Sequence, residues 1–390
     1  MRHDDAEFIP FALPDIDERE ISAVTEVLKS GWLSSGPQVQ AFEEEFSSFL
    51  QGRVHAVCVN SATSGLHLSL AALDIGPGDE VIVPVHTFTA TAAAVCHAGA
   101  TPVFVDVDEA SLNIDPAAAE AAITSRTRAI IPVHFAGLSC DMDAILALAA
   151  KHGLAVIEDA AHALPATYNG HLVGTLPSSA TVFSFYATKT LATGEGGMVV
   201  TRDPSLAARL RTLRLHGIDR DVFARYHSPR AGWFYQVVSP GYKCNMPDIL
   251  AAIGRVQLQK LNEMWASRDR IAKRYSSELA FPMVIPPAMA PHGEIHAWHL
   301  YVIRLQEPLG RHRDDIIDTL KCRGIGTSVH FIPLHMHSYW RNTFGLAPDM
   351  FPVSTRSYLS SISIPIYSRL SDEQVTRIIS AIQQALEQLC

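Results

Sequence analysis

Short apolar segments alternate with helix-forming segments from residue 55 onwards, and this alternation restricts the possible folds more than any other feature of the chain. Each apolar segment is followed by a stretch with the spacing and stop signals of a helix, for example SATSGLHLSLAALDIG and DMDAILALAAKHG. The apolar segments read HAVCVN, EVIVP, TPVFVDV, RAIIPV and LAVIED. Strands that alternate with helices form βαβ units, because parallel strands need a crossover connection. We therefore predict an α/β fold built on a mostly parallel sheet.

The rest of the chain is organised differently. ATVFSF and GMVV predict two further strands with no long helix between them, and PDILAAIGRVQLQKLNEMWASRDRIAKRY predicts one long amphipathic helix. Beyond it, we predict strands at AWHLYVIRL and GTSVHF and helices at RDDIIDTLKCRG and SDEQVTRIISAIQQALEQL. The predicted domains are a large one at residues 1–247, whose first about 30 residues could pack on the small domain, a linking helix at 248–274 and a small domain at 275–390.

Composition excludes several classes of protein. The formal net charge of −9 argues against a nucleic-acid or membrane surface, so an anionic substrate would have to be bound by local cations. The six cysteines are scattered without a C-x-x-C pair, which favours a reducing compartment and no zinc site. The acidic amino terminus lacks the apolar core of a secretory signal, and no apolar run is long enough for a membrane helix. We expect a cytoplasmic protein without a metal site.

Three predicted strand ends carry groups suited to chemistry, and in parallel sheets ligands bind at such ends. Thr63 and Ser64, in SATSG, open a helix that could bind an anion, although they could equally form an ordinary helix cap. Asp159 ends LAVIED, where a helix cap or a metal ligand is the alternative. Lys189 lies between apolar strands and a glycine-rich segment. Burial favours its neutral amine, which could form a Schiff base, whereas an ordinary lysine would extend to solvent.

Together the three groups point to one cofactor. Pyridoxal 5′-phosphate needs a lysine for its aldehyde, an acid that keeps its ring nitrogen protonated, and a helix amino terminus for its phosphate. An anion beside the ring nitrogen raises the pKa of that nitrogen, and the protonated ring can then accept electrons from the substrate carbon. The sequence therefore predicts a pyridoxal phosphate site.

The chain resembles the sugar-nucleotide aminotransferases of the DegT type, which have the aspartate aminotransferase fold (fold type I). The resemblance rests on ordered motifs along most of the chain: SGWLSSGPQVQAFEEEF, VNSATSGLHLSL, DIGPGDEVIVPVHTFTAT, GATPVFVDVD, IIPVHFAG, VIEDAAHA, FSFYATKTLATGEGGMV, GYKCNMPDILAAIG and GTSVHFIPLH. The resemblance implies an α/β large domain with a mostly parallel seven-stranded sheet and a smaller α+β C-terminal domain.

The resemblance also implies roles at the cofactor ring. Lys189 would form the Schiff base with the cofactor and move a proton at the substrate carbon, and Asp159 would pair with the pyridine nitrogen. His162 would lie near the 3-hydroxyl, and Phe88 would stack on the exposed ring face. Glu195, in the following GEGG segment, fits a structural role better than a catalytic one.

For the phosphate, the resemblance implies Thr63, Ser64 and Ser184 from the same chain. Asn245, in GYKCNM, would reach the phosphate from the partner subunit, and Lys243 is the alternative because many relatives carry asparagine at that position. Either residue would make the working unit a homodimer with shared active sites.

The implied reaction takes an amino group from L-glutamate, leaves pyridoxamine 5′-phosphate, and passes the amine to a keto-sugar of a nucleoside diphosphate in a ping-pong cycle. A 4-keto UDP-sugar is favoured, and a 3-keto sugar or a dTDP carrier is possible. Trp32, Ser35 and His330 are candidate substrate residues, and Arg230 could meet the nucleotide. The alternatives are a transaminase with a non-nucleotide keto acceptor and a pyridoxal phosphate lyase or dehydratase. No G-x-G-x-x-G follows a predicted strand, which argues against a nucleotide-binding oxidoreductase.

Overall fold

The computed structural model describes residues 7–219, 233–279 and 281–388, and it is built around a seven-stranded sheet. The strands up to residue 201 are His55–Val59 (β1), Glu80–Pro84 (β2), Thr101–Val105 (β3), Thr127–Ile130 (β4), Ala155–Asp159 (β5), Thr167–Tyr168 (β6), His171–Leu172 (β7), Ala180–Ser184 (β8) and Gly197–Thr201 (β9). The large sheet has the order β1-β9-β8-β5-β4-β2-β3, and β6 and β7 pair separately. Strand β9 is antiparallel to both its neighbours, and the other pairs are parallel. The predicted α/β fold with a mostly parallel sheet is therefore confirmed.

Helices cover both faces of this sheet. In this part of the chain they are Glu18–Ser30 (α1), Pro37–Phe49 (α2), Ala62–Ala72 (α3), Thr89–His97 (α4), Pro116–Ala121 (α5), Met142–His152 (α6) and Pro204–Leu213 (α7). Within β8, Val182 packs into the cluster that contains Leu66 of α3, whereas Phe183 packs against Phe46 of α2 on the other face. Alternate residues of one strand thus enter two cores, which is why these strands read as continuous apolar runs.

A second, smaller sheet lies in the C-terminal part of the chain. The elements there are Asp248–Glu278 (α8), Val284–Ile285 (β10), Tyr301–Leu305 (β11), Arg313–Cys322 (α9), Ser338–Phe344 (α10), Pro352–Ser360 (α11), Ser361–Ile364 (β12) and Asp372–Glu387 (α12). Short 3₁₀ turns occupy Phe135–Gly137, Leu309–His312, Leu334–Met336 and Pro348–Met350. The order β10-β11-β12 is antiparallel throughout, and one face of this sheet packs on α9 and α12.

Helix α8 takes part in two hydrophobic clusters. Ala251 and Leu261 pack with α2 beneath the large sheet, and Tyr275 packs with the small sheet. The buried Ile9 also joins the second cluster and pairs with Ile325. The predicted domain division, with its linking helix and with the N-terminal segment on the small domain, stays a prediction.

One predicted strand is wrong. The segment GTSVHF at 326–331 contains only a single bridge, from Ser328 to Ser363, and Ile325 just before it bridges to Ile9 instead. The backbone changes partner within a few residues, so no continuous ladder forms, and the following His330 then enters a cavity. The third strand of the small sheet is β12, the segment SISI, which the sequence did not indicate.

Asp248 connects the start of α8 to the start of α2. Its carboxylate is buried and accepts hydrogen bonds from the backbone N–H groups of Gly36 (2.8 Å), Val39 (3.0 Å) and Gln38 (3.1 Å). Three N–H groups at a helix amino terminus would otherwise lack an intrahelical partner. A single carboxylate therefore both caps α2 and fixes it against α8.

We expect Asp248→Ala to lower the free energy of unfolding by about 2–4 kcal/mol, because it leaves buried N–H groups unsatisfied. Urea unfolding at one fixed protein concentration measures the change. Asp318→Ala, which removes an exposed carboxylate on α9, is the control and should change stability by less than about 0.5 kcal/mol. Equal losses in the two variants would contradict the capping role.

No helix in the three described ranges is both long and apolar enough to span a membrane.

Candidate active site

A cavity of about 560 Å³ opens where the large sheet ends. It is bordered by the carboxyl ends of β5 and β8, the start of α3, and the segment that follows β2. Seven of the predicted site residues line this cavity: Thr63, Phe88, Asp159, His162, Ser184, Lys189 and His330. Residues that are far apart in the sequence therefore meet at one strand-end site, and their individual roles stay predictions.

Lys189 lies in the loop that connects β8 and β9. A β-bridge between Tyr186 and Gly194 joins the two ends of this loop. Within the loop, the Lys189 N–H donates a hydrogen bond to the Tyr186 carbonyl at 2.9 Å. Burial lowers the pKa of Lys189 to about 8, the charge of Asp159 opposes this shift, and the Arg268 guanidinium adds to it. The side chain can thus be a neutral amine near neutral pH, as a nucleophile must be.

Asp159 is the last residue of β5 and its carboxylate is buried. One oxygen accepts a hydrogen bond from the Thr91 hydroxyl at 2.9 Å, and the other accepts from the Ala161 N–H at 3.2 Å. Burial raises the pKa of Asp159, and these two hydrogen bonds act against that rise. A buried carboxylate of this kind is suited to a cationic N–H from a ligand in the cavity.

Three histidines surround the cavity and are neutral. Burial lowers the pKa of His330 to about 4, and it lowers the pKa values of His162 and His299 well below the ordinary range. The ring of His162 lies 4.2 Å from that of His299 and stacks on Phe331 at 5.8 Å. The Nδ1 atoms of His162 and His299 are buried without a hydrogen-bond partner among the described residues. Neutral imidazoles supply donors and acceptors without adding positive charge next to Lys189.

The start of α3 is suited to an anion. Ser61 caps this helix by accepting from the Ser64 N–H at 3.1 Å, and both Ser61 and Thr63 line the cavity. A Cβ atom at Gly197 would come within 2.8 Å of the Ala62 nitrogen, so a glycine is required where β9 passes the helix start. The free N–H groups and the helix dipole at this point favour a phosphate.

Five predicted site residues, counting Lys243 as the alternative to Asn245, do not line the cavity. The hydroxyl of Ser64 contacts Ser61 at 3.0 Å. Asn245, Ser35 and Trp32 form a cluster of their own, in which Asn245 Nδ2 donates to Ser35 Oγ at 2.7 Å and Trp32 Nε1 donates to the Ser35 carbonyl at 3.1 Å. Lys243 is exposed. Arg230 lies outside the described residues, and Glu195 is exposed at the cavity rim.

Sequence reasoning missed several cavity residues. Thr91 and His299 contact Asp159 and Lys189 directly, and Tyr186 and Phe331 form part of the wall. Thr91 could have been found, because it follows a strand end in the motif HTFTAT. His299 gave no comparable signal, since its position depends on contacts between distant parts of the chain.

Comparison with known proteins gives the family. The model of the DegT/DnrJ/EryC1/StrS aminotransferase family matches residues 14–383. The chain belongs to this family. The spore coat polysaccharide biosynthesis protein SpsC of Bacillus subtilis (strain 168) is 50% identical over 383 residues, which cover 97% of each chain.

Solved structures agree with this membership. Spr1654 of Streptococcus pneumoniae, in its PMP form, has a TM-score of 0.92 and 35% identity, and the match covers 98% of this chain and 100% of Spr1654. Helicobacter pylori PseC, an aminotransferase involved in the biosynthesis of pseudoaminic acid, has a TM-score of 0.89 and 32% identity, with 98% and 100% covered. The predicted family, fold type I architecture, enzyme class and cofactor are confirmed: the protein is a pyridoxal-phosphate-dependent aminotransferase.

The residues of this DegT-family site fit the cofactor. The cavity brings together three groups. They are the Lys189 amine, whose pKa is lowered, the buried Asp159 carboxylate, which lacks a salt-bridge partner among the described residues, and the start of α3, which β9 passes closely at Gly197. These are the groups that the aldehyde, the ring nitrogen and the phosphate require.

A substitution at Thr91 tests whether its hydrogen bond lowers the pKa of Asp159. We expect Thr91→Val to raise the pKa of Asp159, because a hydrogen bond donated to the ionised form lowers it. The turnover number should fall by about threefold to tenfold, and the acid limb of its pH profile should move upward by about half a unit or more. Thr175→Val, which removes a hydroxyl bonded to the Leu172 carbonyl, is the matched control. An unmoved acid limb would show that Thr91 does not influence Asp159.

Proposed function

We propose that this aminotransferase moves an amino group from L-glutamate to a keto-sugar of a nucleoside diphosphate, with a 4-keto UDP-sugar as the favoured acceptor. One observation carries the proposal. The Lys189 amine and the Asp159 carboxylate line the same cavity, where the adjacent strands β5 and β8 end. The amino group leaves the donor in a first half-reaction and reaches the acceptor in a second, which gives ping-pong kinetics.

In this proposal each residue has a distinct task. Bound pyridoxal phosphate supplies an aldehyde carbon for amine exchange and a ring that accepts electrons. Asp159 holds a proton at the ring nitrogen, Thr63 and Ser184 bind the phosphate with the start of α3, and Phe88 and His162 contact the ring. Lys189, once released as a free amine, moves a proton between the substrate carbon and the cofactor carbon. Its low pKa is the property that allows this, because an ammonium cannot accept a proton.

Two observations support a sugar acceptor. SpsC is named for polysaccharide biosynthesis and PseC for the biosynthesis of pseudoaminic acid, and both match this chain along nearly its whole length. The cavity is also large and has polar and aromatic walls, with Tyr186, Phe331 and three neutral histidines around the amine. Such walls suit a hydroxylated ring, which needs hydrogen bonds and flat apolar contacts.

We further propose that the working unit is a homodimer in which Asn245 completes the partner's phosphate site, with Lys243 as the alternative. Asn245 and its neighbours Ser35 and Trp32 lie outside the cavity of their own chain. An exposed apolar stretch at residues 233–238, which includes Trp233 and Val237, precedes Asn245 in the chain and would be covered in a dimer.

Mixed dimers test this arrangement. Lys189→Ala and Asn245→Ala homodimers should each have low activity, whereas a mixture that exchanges subunits should recover up to about a quarter of the wild-type rate, because half of the dimers are mixed and each has one intact site. Activity is measured after mixing differently tagged subunits. The same mixture made with Lys243→Ala shows which residue acts across the interface. A mixture of Lys189→Ala and Asn245→Ala with no recovery would exclude a role for Asn245 in the partner's site.

The substrate proposal is tested by isotope transfer. The holoenzyme is incubated with ¹⁵N-labelled L-glutamate and a UDP-linked 4-keto hexose, and the nucleotide sugar is analysed by mass spectrometry. We expect one ¹⁵N atom in the sugar and an equal amount of 2-oxoglutarate. The dTDP-linked and 3-keto analogues and a free keto-sugar run in parallel, with Lys189→Ala as the inactive control. Formation of 2-oxoglutarate with ¹⁵N only in the free keto compound would establish a non-nucleotide acceptor, and loss of water from the sugar without ¹⁵N uptake would establish a dehydratase.

A further inference from the structure

His299 lies against the reactive amine without a role in the scheme above. Its Nε2 atom is 3.3 Å from Lys189 Nζ, and the residue is only 6% exposed. It belongs to the segment that leads into β11, so it comes to the amine from the C-terminal part of the chain. No other histidine among the described residues has a hydrogen bond to the Lys189 side chain.

A buried arginine fixes the backbone at His299. Arg268, on α8, donates from Nη1 to the carbonyls of Ile366 (2.7 Å), Trp298 (3.1 Å) and His299 (3.4 Å). Arg268 is 3% exposed, so these bonds are shielded from water and competing partners. The ring of His162 packs on the imidazole of His299 at 4.2 Å. The backbone at His299 is therefore fixed, and the packing of His162 limits the directions in which the imidazole can turn away from Lys189.

Burial, together with the neighbouring cations, keeps His299 neutral. The groups that face the amine and the imidazole are two cations, Lys189 and Arg268, one carboxylate, Asp159, and two neutral histidines, His162 and His330. Burial lowers the pKa of His299 well below its ordinary value, and the charge of Lys189 lowers it further. A neutral imidazole with its proton on Nδ1 has a free lone pair on Nε2, so it can accept a hydrogen bond.

We propose that His299 is a positioning residue whose Nε2 accepts a hydrogen bond from the Lys189 amine. A neutral amine has two N–H groups and one lone pair, so engaging one N–H limits the directions in which the lone pair can point. The amine is thereby held in a narrow range of orientations when it accepts and returns a proton. A small displacement of a group that transfers a proton can cost about 10²-fold in rate, so this fixation matters for turnover.

Replacing His299 by glutamine or by asparagine distinguishes a positioning role from a role in packing alone. In His299→Gln the amide oxygen can reach the position of Nε2, whereas in His299→Asn it reaches only the position of Nδ1. Both variants keep a neutral polar side chain, so their effects on the polarity of the pocket are matched. We expect His299→Asn to slow the first half-reaction about tenfold to a hundredfold and His299→Gln to stay within about threefold of wild type.

The second readout does not involve the reaction. In the cofactor-free full-length protein, the rate at which cyanate carbamoylates Lys189 is followed against pH by mass spectrometry of the peptide. An acceptor for the ammonium N–H favours the charged form, so its loss lowers the pKa of the amine. The midpoint, about pH 8 in wild type, should fall by about half a unit to one unit in His299→Asn and stay in place in His299→Gln.

His296→Asn is the control for a general loss of packing in the segment that leads into β11. His296 is buried, accepts from the Trp298 N–H at 2.9 Å through Nδ1, and stacks on Trp298, and asparagine can keep the hydrogen bond. This variant should leave the carbamoylation midpoint unchanged. If the two His299 variants show the same midpoint, whether shifted or not, the proposal fails and His299 only packs. Because carbamoylation needs neither donor nor acceptor, this outcome is independent of the substrate proposal.

Discussion

The Lys189→Ala variant is expected to lose transamination by a factor of about 10⁴ or more, because the only amine that lines the cavity among the described residues disappears. Both the proposed nucleophile and the proposed proton-transfer group are removed in one change. Single-turnover mixing of the holoenzyme with L-glutamate, followed by its visible absorbance, measures the rate.

Binding of pyridoxal phosphate should survive in this variant, since Asp159, Thr63, Ser184 and the start of α3 are untouched. Borohydride should then fix no cofactor to the protein, whereas in wild type we expect it to fix the cofactor to Lys189. Lys151→Ala, which removes an exposed lysine bonded to Glu120, serves as the control. Retention of more than about a tenth of the wild-type rate would mean that another residue acts as the amine.

The Asp159→Asn variant should lower the turnover number by about 10²–10³-fold with little change in fold. The amide has the same shape and can still bond to Thr91 or Ala161, but it lacks the negative charge that, in our proposal, keeps the ring nitrogen protonated. A neutral ring accepts electrons from the substrate carbon less readily, so the proton transfer at Lys189 slows.

Steady-state kinetics and the dissociation constant of the cofactor are measured together for this variant. We expect a large loss of turnover and a smaller loss of cofactor affinity, because the phosphate contacts remain. Asp318→Asn, at an exposed position on α9, should match wild type in both measurements. Near-normal turnover in Asp159→Asn would mean that the ring does not depend on this carboxylate.

The large sheet could be predicted because its strands are buried on both faces and therefore read as apolar runs. Each apolar run up to GMVV became a strand of the large sheet within a few residues of its predicted bounds. The small sheet was harder, since GTSVHF has the composition of a strand but changes its backbone partner, while the serine-containing SISI is fully buried as β12. Strand composition states only that a segment can pair, and the packing of distant segments decides whether it does.

The residues of the candidate site also fall into those that the sequence could predict and those that it could not. Lys189, Asp159 and Thr63 could be placed because they follow strand ends, and the carboxyl ends of parallel strands meet at one edge. His299 and Arg268 could not, because their positions depend on how α8 and the C-terminal segments pack against the large sheet. Asn245 is a third case: its predicted role concerns a second chain, and the fold of one chain does not test it.

The pairing of β8 with the antiparallel β9 has a further consequence. Ser184 pairs with Gly197, so the intervening residues form the tip of a hairpin, and Lys189, which lines the cavity, belongs to that tip. Its height above the sheet is set by the number of residues in the tip and by the alignment of the two arms. An insertion or deletion between these arms would move the amine relative to the carboxylate without changing the pairing of the arms. The tip should therefore tolerate side-chain substitution better than any change in its length.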